Sequence, residues 1–339
     1  MLARVLVAAV LLGVGGPAWA TETKTLKIAT LAPDGTTWTN GLKSFSSMVA
    51  QGLSGQLKIK LIANGIAGDE RQMLDKIRQG QLNGAALTSL GLGTVSGTIH
   101  VLELPLLVRD YAELDYLREK LDTDLRKSFE DKGFVVLAWS DLGPVHIFTT
   151  KPIKSHRDLT KAKPWVLPGD RLIPTLLEEL GLKGVPMAVG DVNTAMEKGA
   201  ITLAYGSALT TLALGWHAHL RYMFEEPFSF GVAATVLSKR DFDALTAEQQ
   251  MFLLVEAKAY QRDLVKHIRD ENARAMESLK RAGVEVMRPS PEVQGEFAQV
   301  AKSFLPQVEP LLFSPRLRKR AEAILEEYRT KPRRAAKSN

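Results

Sequence analysis

Adjacent carboxylates are the first residues in this chain that could do chemistry. Asp69-Glu70 and Glu225-Glu226 could act as general acid and base. A helix cap and a solvated loop explain the same pairs more simply. His217 and His219 could share a metal ion, but no Cys, His, Asp or Glu stands at matching spacing nearby. Gly91-Leu92-Gly93-Thr94-Val95-Ser96-Gly97 approaches a dinucleotide loop and misses G-x-G-x-x-G by one position. P-loop, G-x-S-x-G and H-E-x-x-H motifs are absent. Cysteine is absent too, which excludes disulfides, thiol nucleophiles and thiolate ligands. The residues therefore point to a protein that binds rather than transforms, with no metal and no cofactor. An exported hydrolase and a ligand-free structural partner are the competing classes.

The elements around these residues suggest where a ligand would sit. Ile77-Arg78-Gln79-Gly80-Gln81-Leu82-Asn83-Gly84-Ala85-Ala86 leads into Thr88-Ser89. Met196-Glu197-Lys198-Gly199-Ala200-Ile201-Thr202-Leu203-Ala204-Tyr205 leads into Gly206-Ser207. Each phrase reads as a helix end, a glycine stop, a short apolar strand and a small polar residue. Ligands of open α/β sheets bind at strand carboxyl ends, so two copies suggest two similar lobes facing a cleft. Two unrelated helix–strand turns are the plainer reading.

Strands are expected at 24–30 and 57–62, with helical spacing at 38–49 and a helix from Asp69 to Gly80. This strand–helix–strand order implies parallel pairing. A helical pair is expected at 111–132, followed by a long extended segment at 134–150 that Gly143-Pro144 could bend. Such a strand suits a crossing between lobes. Further on, Asp191 should cap a helix running to Gly199, and 232–237 could return the chain to the first lobe. Residues 246–282 read as one long helix of about 55 Å, enough to pack along both lobes. Terminal helices are expected at 293–305 and 316–328.

The 339 residues suit roughly two domains, and 45% hydrophobic with 24% charged residues is ordinary for a globular chain. Residues 1–20 combine Arg4, an apolar run and Ala18-Trp19-Ala20, the pattern of a secretory signal peptide cleaved after Ala20. The expected location is the periplasm, and without cysteine the protein would not be a lipoprotein. The net charge of +6 owes part to a basic C-terminus. A solvated helix end with a tail at 329–339 accounts for it better than nucleic acid does.

Asp158-Leu159-Thr160-Lys161-Ala162-Lys163-Pro164-Trp165-Val166 resembles the opening of the second domain of the substrate-binding proteins of TRAP (tripartite ATP-independent periplasmic) transporters, the DctP family. The resemblance extends over Asp69-Glu70-Arg71-Gln72-Met73, residues 134–150, residues 185–199 and Val236-Leu237-Ser238-Lys239. It implies an α/β, two-lobed periplasmic solute-binding fold, with lobes joined by crossing strands and a long shared helix. Lobe I would comprise 21–145 plus about 230–262, and lobe II 146–229 plus about 263–328. The implied partners are a small-molecule ligand and the membrane subunits of the transporter, and not nucleic acid.

The family usually has Arg where this chain has Trp165, and that Arg holds the ligand carboxylate. Thr202-Leu203-Ala204-Tyr205-Gly206-Ser207 likewise stands where polar and acidic family residues are expected. These departures, Gly169-Asp170, Leu102-Glu103-Leu104-Pro105 and Leu212-Ala213-Leu214-Gly215-Trp216 resemble a subgroup associated with a periplasmic tetratricopeptide-repeat protein. A hydrophobic ligand is implied for that subgroup. Trp165 then either lines the ligand or packs into the place of the arginine. Tyr205, Gly206 and Ser207 form a cleft wall or a plain strand-to-helix turn. Trp216 and Trp139 line the cleft or sit in the core. Thr88 and Ser89 could donate hydroxyl hydrogen bonds. Glu70 either faces the cleft or only caps a helix with Asp69, and Asp170 either lines the pocket or caps the helix after it.

Overall fold

The computed structural model describes residues 23–330. The expected signal peptide, residues 1–20, and the expected tail beyond Thr330 lie outside the described residues. Ten strands are described: β1 (Lys24–Thr30), β2 (Leu57–Ile62), β3 (Gly84–Thr88), β4 (Phe134–Thr149), β5 (Trp165–Val166), β6 (Val185–Pro186), β7 (Leu203–Gly206), β8 (Tyr222–Phe224), β9 (Ser229–Ser238) and β10 (Glu285–Met287). Eight of them form one sheet in the order β10-β8-β4-β9-β3-β1-β2, with β7 also pairing β4. β5 and β6 form a separate parallel pair.

The first half follows from two strand–helix–strand units. The helix Thr37–Gly52, which connects β1 to β2, buries Leu42, Phe45 and Val49. The helix Glu70–Arg78 starts with a reciprocal capping box: Asp69 accepts from the Gln72 N–H at 2.8 Å, and Gln72 accepts from the Asp69 N–H at 3.0 Å. Gly80 takes φ +77° just past its end. β1 pairs parallel with both β2 and β3, as the order of elements requires.

β4 and β9 join the lobes. They pair antiparallel over most of their length, and the later part of β4 also takes β7 and β8 as antiparallel neighbours. Register shifts fall at Val136/Ala138 and Asp141/Gly143. Gly143 sits at φ +113°, and a Cβ there would lie 2.5 Å from Asn272 Nδ2. Asn272 in turn donates to the Leu142 carbonyl at 3.1 Å and accepts from the Leu209 N–H at 3.2 Å. Gly143→Ala should cost about 1–3 kcal/mol through backbone strain and displacement of Asn272. Urea denaturation measures it, and an unchanged midpoint would mean the bulge relaxes freely.

The long helix Ala247–Arg281 belongs to both cores. Its first half buries Leu253, Ala257, Leu264 and Tyr260, whose ring stacks on Phe45 at 5.1 Å, against the β1–β2 side. Its last turns bury Ala275 and Leu279 with Trp165, Trp216 and Met223. Beside the crossing, Asp141 of β4 is fully buried. It accepts from Arg118 Nη1 and from Arg269 Nε of the long helix, both at 2.7 Å. Asp115 closes the ring, accepting from Arg118 at 2.9 Å and from both terminal nitrogens of Arg269 at 2.6 and 2.7 Å.

Four expectations need correction. Residues 111–130 form one helix, Tyr111–Glu130, because Leu114, Leu117, Leu121, Leu125 and Phe129 hold a single buried stripe with no Gly or Pro to break it. Asp191 makes no side-chain cap to the helix Val192–Glu197. An additional helix, Leu305–Leu312, follows Pro291–Ser303. Pro306 falls in its first turn, where a missing N–H costs no helical bond. The basic C-terminal helix Pro315–Thr330 is not merely solvated. Arg318 pairs with Glu309 and Glu322, Arg320 with Asp124, and Arg329 with Glu113 at 2.6 Å. Among the described residues, no helix is long and apolar enough to cross a membrane.

Candidate functional site

The two copies of the repeated phrase end at one cavity. β3 ends at Thr88 and β7 at Gly206, and each is followed at once by a short helix, Ser89–Val95 or Ala208–Ala213. Ser207 caps the second helix by accepting the Thr210 N–H at 3.2 Å. Between these strand ends and the crossing strands lies a cavity of about 260 Å³. Thr88, Ser89, Trp165, Asp170, Tyr205, Gly206, Ser207 and Trp216 all line it.

Its second-lobe wall is a cluster of rings. Trp165 stacks on Tyr205 at 5.3 Å and 29°, and Trp216 meets Trp165 edge-on at 5.2 Å and 72°. Phe228 meets Tyr205 edge-on at 6.4 Å. The Trp165 indole N–H donates to the Met187 carbonyl at 2.9 Å, which uses its one donor and leaves an apolar ring for the cavity. Trp165 is 5% exposed and Trp216 1%, so both rings are core and wall at once. The Trp216 indole N–H has no hydrogen-bond partner among the described residues.

The polar groups of the wall are largely engaged with one another. Asp170 accepts from the Leu172 and Ile173 N–H groups at 2.8 and 3.3 Å, and Tyr205 donates its hydroxyl to the other carboxylate oxygen at 3.3 Å. Asp170 therefore both lines the pocket and holds the start of the helix Leu172–Glu179. Burial pushes its carboxyl above the usual range, against those two N–H bonds. Burial, and next the Asp170 charge, push the Tyr205 phenol well above its ordinary value.

Because the folded Asp170 carboxyl titrates above its unfolded value, folding favours its protonated form. That contribution is complete below the unfolded range near ~4 and is lost as pH rises through the raised folded value. Asp170→Asn keeps an acceptor for the helix N–H groups. Its melting temperature relative to wild type should therefore rise between pH 4 and pH 7. A difference that does not change with pH would contradict the burial effect.

Several lining residues had no ligand role in the sequence reading, among them His100 and Glu103, the latter noted only within Leu102-Glu103-Leu104-Pro105. Glu103 is 8% exposed, accepts the Val232 N–H at 2.9 Å and lies 3.4 Å from His100 Nδ1. Both residues sit on or beside a 3₁₀ turn, which has no long periodicity to reveal a face. Glu103 did leave one signal, a lone acid within the apolar run Val101-Leu102-Glu103-Leu104. No Lys or Arg lines the cavity among the described residues.

Glu70 and Trp139 are not brought to the cavity. Glu70 is buried behind its wall, accepting the Thr88 N–H at 2.7 Å, the Thr88 hydroxyl at 2.9 Å and the Gly91 N–H at 2.7 Å. It positions Thr88, and Gly91 is glycine because a Cβ would lie 2.5 Å from the Glu70 carboxylate. The Gly91–Gly93 stretch is thus a helix packed on an acid, not a nucleotide loop. Trp139 is core, edge-on to Phe129, with its indole N–H donated to Asp122 at 2.6 Å.

The other chemical candidates lie elsewhere. Asp69 caps its helix, and Glu225 is paired with Arg288 at the surface. Among the described residues no group of three or more His, Cys, Asp or Glu is placed to hold a metal. A larger cleft, about 460 Å³, lined by Phe224, Glu226 and Phe297, shares only Phe228 with the interlobe cavity.

Comparison with known proteins agrees with this architecture. The family model for bacterial extracellular solute-binding proteins, family 7 (DctP), matches residues 28–309. The 2,3-diketo-L-gulonate-binding periplasmic protein YiaO of Escherichia coli is 26% identical over 250 residues, covering 72% of this chain and 75% of its own. A TRAP periplasmic solute-binding protein from Ochrobactrum anthropi superposes with TM-score 0.83 at 20% identity, over 92% of this chain and 98% of that one. One from Haemophilus influenzae, with bound L-gulonate, gives 0.80 at 18% identity, over 90% and 99%. A two-lobed α/β fold with a cavity between the lobes, and a family match across most of its length, place this chain in family 7 of the bacterial extracellular solute-binding proteins, the DctP family.

Proposed function

We propose that this chain is the periplasmic receptor of a TRAP-type secondary transporter, and that the body of the ligand it encloses is apolar or uncharged. Closure of the two lobes by hinge motion at β4, β9 and the long helix would trap the ligand and present it to the membrane subunits. The observation that carries this reading is the interlobe cavity, walled by stacked Trp165, Tyr205 and Trp216 with no Lys or Arg in its lining. A carboxylate placed wholly inside would forgo a charge-assisted contact of about 1.5–3 kcal/mol. It would also face Asp170 and Glu103. A signal peptide cleaved after Ala20, read from the pattern of residues 1–20, and a tetratricopeptide-repeat partner, implied by the sequence resemblance, belong to the same proposal.

The sugar-acid ligands of the relatives favour one alternative, an organic acid held without an arginine. His100 and the hydroxyls of Ser207 and Ser229 would then supply the polar contacts, since the Thr88 hydroxyl proton is given to Glu70. Thermal-shift titration decides between the two. Neutral probes such as 1-octanol and 4-ethylbenzyl alcohol should raise the melting temperature, whereas L-gulonate and C4-dicarboxylates should not. Micromolar binding of the acids alone would favour the alternative.

A further inference from the structure

We propose that the mouth of the cavity binds an anionic head group, so that the ligand is an amphiphilic acid with its body inside and its carboxylate outside. This rests on the reading above, that the inner cavity takes an apolar body. A second cleft, about 430 Å³, adjoins the aromatic cavity, and Leu90, His100 and Asp170 line both spaces. Its ionisable groups are Arg71, Asp75 and Arg78 from the helix Glu70–Arg78, His100, and Asp170 and Arg171 from the other lobe. Arg78 is paired with Asp75 at 3.0 Å, and the Asp170 carboxylate is taken by its own helix and by Tyr205.

That leaves the guanidinium groups of Arg71 and Arg171, exposed and without a carboxylate partner among the described residues. They come from opposite sides of the cleft. A carboxylate accepting from both would compensate two like charges that closure brings together, and would tie the lobes across the ligand. The inner cavity lacks any such donor, so an anion gains at the mouth what it would lose inside. A sugar acid, polar along its whole length, satisfies only the mouth, and a C4-dicarboxylate would have to bury its second charge.

The test uses matched pairs with one body and two heads: octanoate against 1-octanol, and 4-ethylbenzoate against 4-ethylbenzyl alcohol. Isothermal titration of the purified protein should give each acid an affinity about tenfold or more above its alcohol. The advantage should shrink with added salt. The double variant Arg71→Gln/Arg171→Gln should bring the acid down to the alcohol and leave the alcohol unchanged. Equal binding of acid and alcohol by the native protein would overturn the mouth site, as would an acid advantage that survives the double variant. If the alcohols also fail to bind, the apolar-body reading falls and takes this proposal with it.

Discussion

Replacing Trp165 with alanine should weaken binding of the neutral probes at least about a hundredfold, close to 2.7 kcal/mol. The ring touches Tyr205 on its face and Trp216 at its edge, so its loss opens the wall and frees both neighbours. The same substitution should destabilise the fold by about 3–5 kcal/mol, since a buried ring of the second-lobe core is removed. Trp165→Phe separates the two effects. It keeps an apolar ring but loses the bond to Met187, so it should retain most of the binding while still costing stability. Titration calorimetry with urea denaturation reads both. Alanine and phenylalanine variants that bind the probes alike would show that Trp165 is packing only.

The second large effect is expected at Asp141. Its two oxygens each receive an arginine at 2.7 Å, and it is fully buried. Asp141→Ala leaves Arg118 and Arg269 facing one another with only the half-exposed Asp115 to compensate them. Removing one partner from a buried ion network typically costs about 3–5 kcal/mol. Asp115→Asn should cost less, about 1 kcal/mol or below, because water screens that side of the ring. The arrangement links β4, the helix Tyr111–Glu130 and the long helix where the chain crosses between lobes. Equal losses from the two variants in urea denaturation would contradict the assigned difference in burial.

The repeated phrase was legible because it rests on local rules. Gly80 and Gly199 both take positive φ and both precede a short strand ending at the cavity. The helix starts at Asp69 and near residue 246 were likewise legible, and the structure completes each with a capping box, through Gln72 and Gln249. Trp139 shows what was not. On an even strand, alternation would tell which of Trp139, Leu142 and Val145 share a face. The register shift at Asp141/Gly143 breaks that alternation, so Leu142 and Val145 reach the cavity and Trp139 enters the core. Glu70, left open between cleft and cap, meets a related limit. Its position at the helix start was readable, but its three donors come from residues 18 and 21 positions later. The pairing of Arg71 with Arg171 across a cleft could not be read at all, since only the folded chain brings them to one space.

The most direct measurement is native mass spectrometry of the protein purified from the periplasm without unfolding, followed by solvent extraction of whatever it carries. The expected result is a single small organic adduct with an apolar body, released by organic solvent and absent from Trp165→Ala. The contradicting result is a C4-dicarboxylate or sugar acid, bound at micromolar affinity and retained equally by that variant.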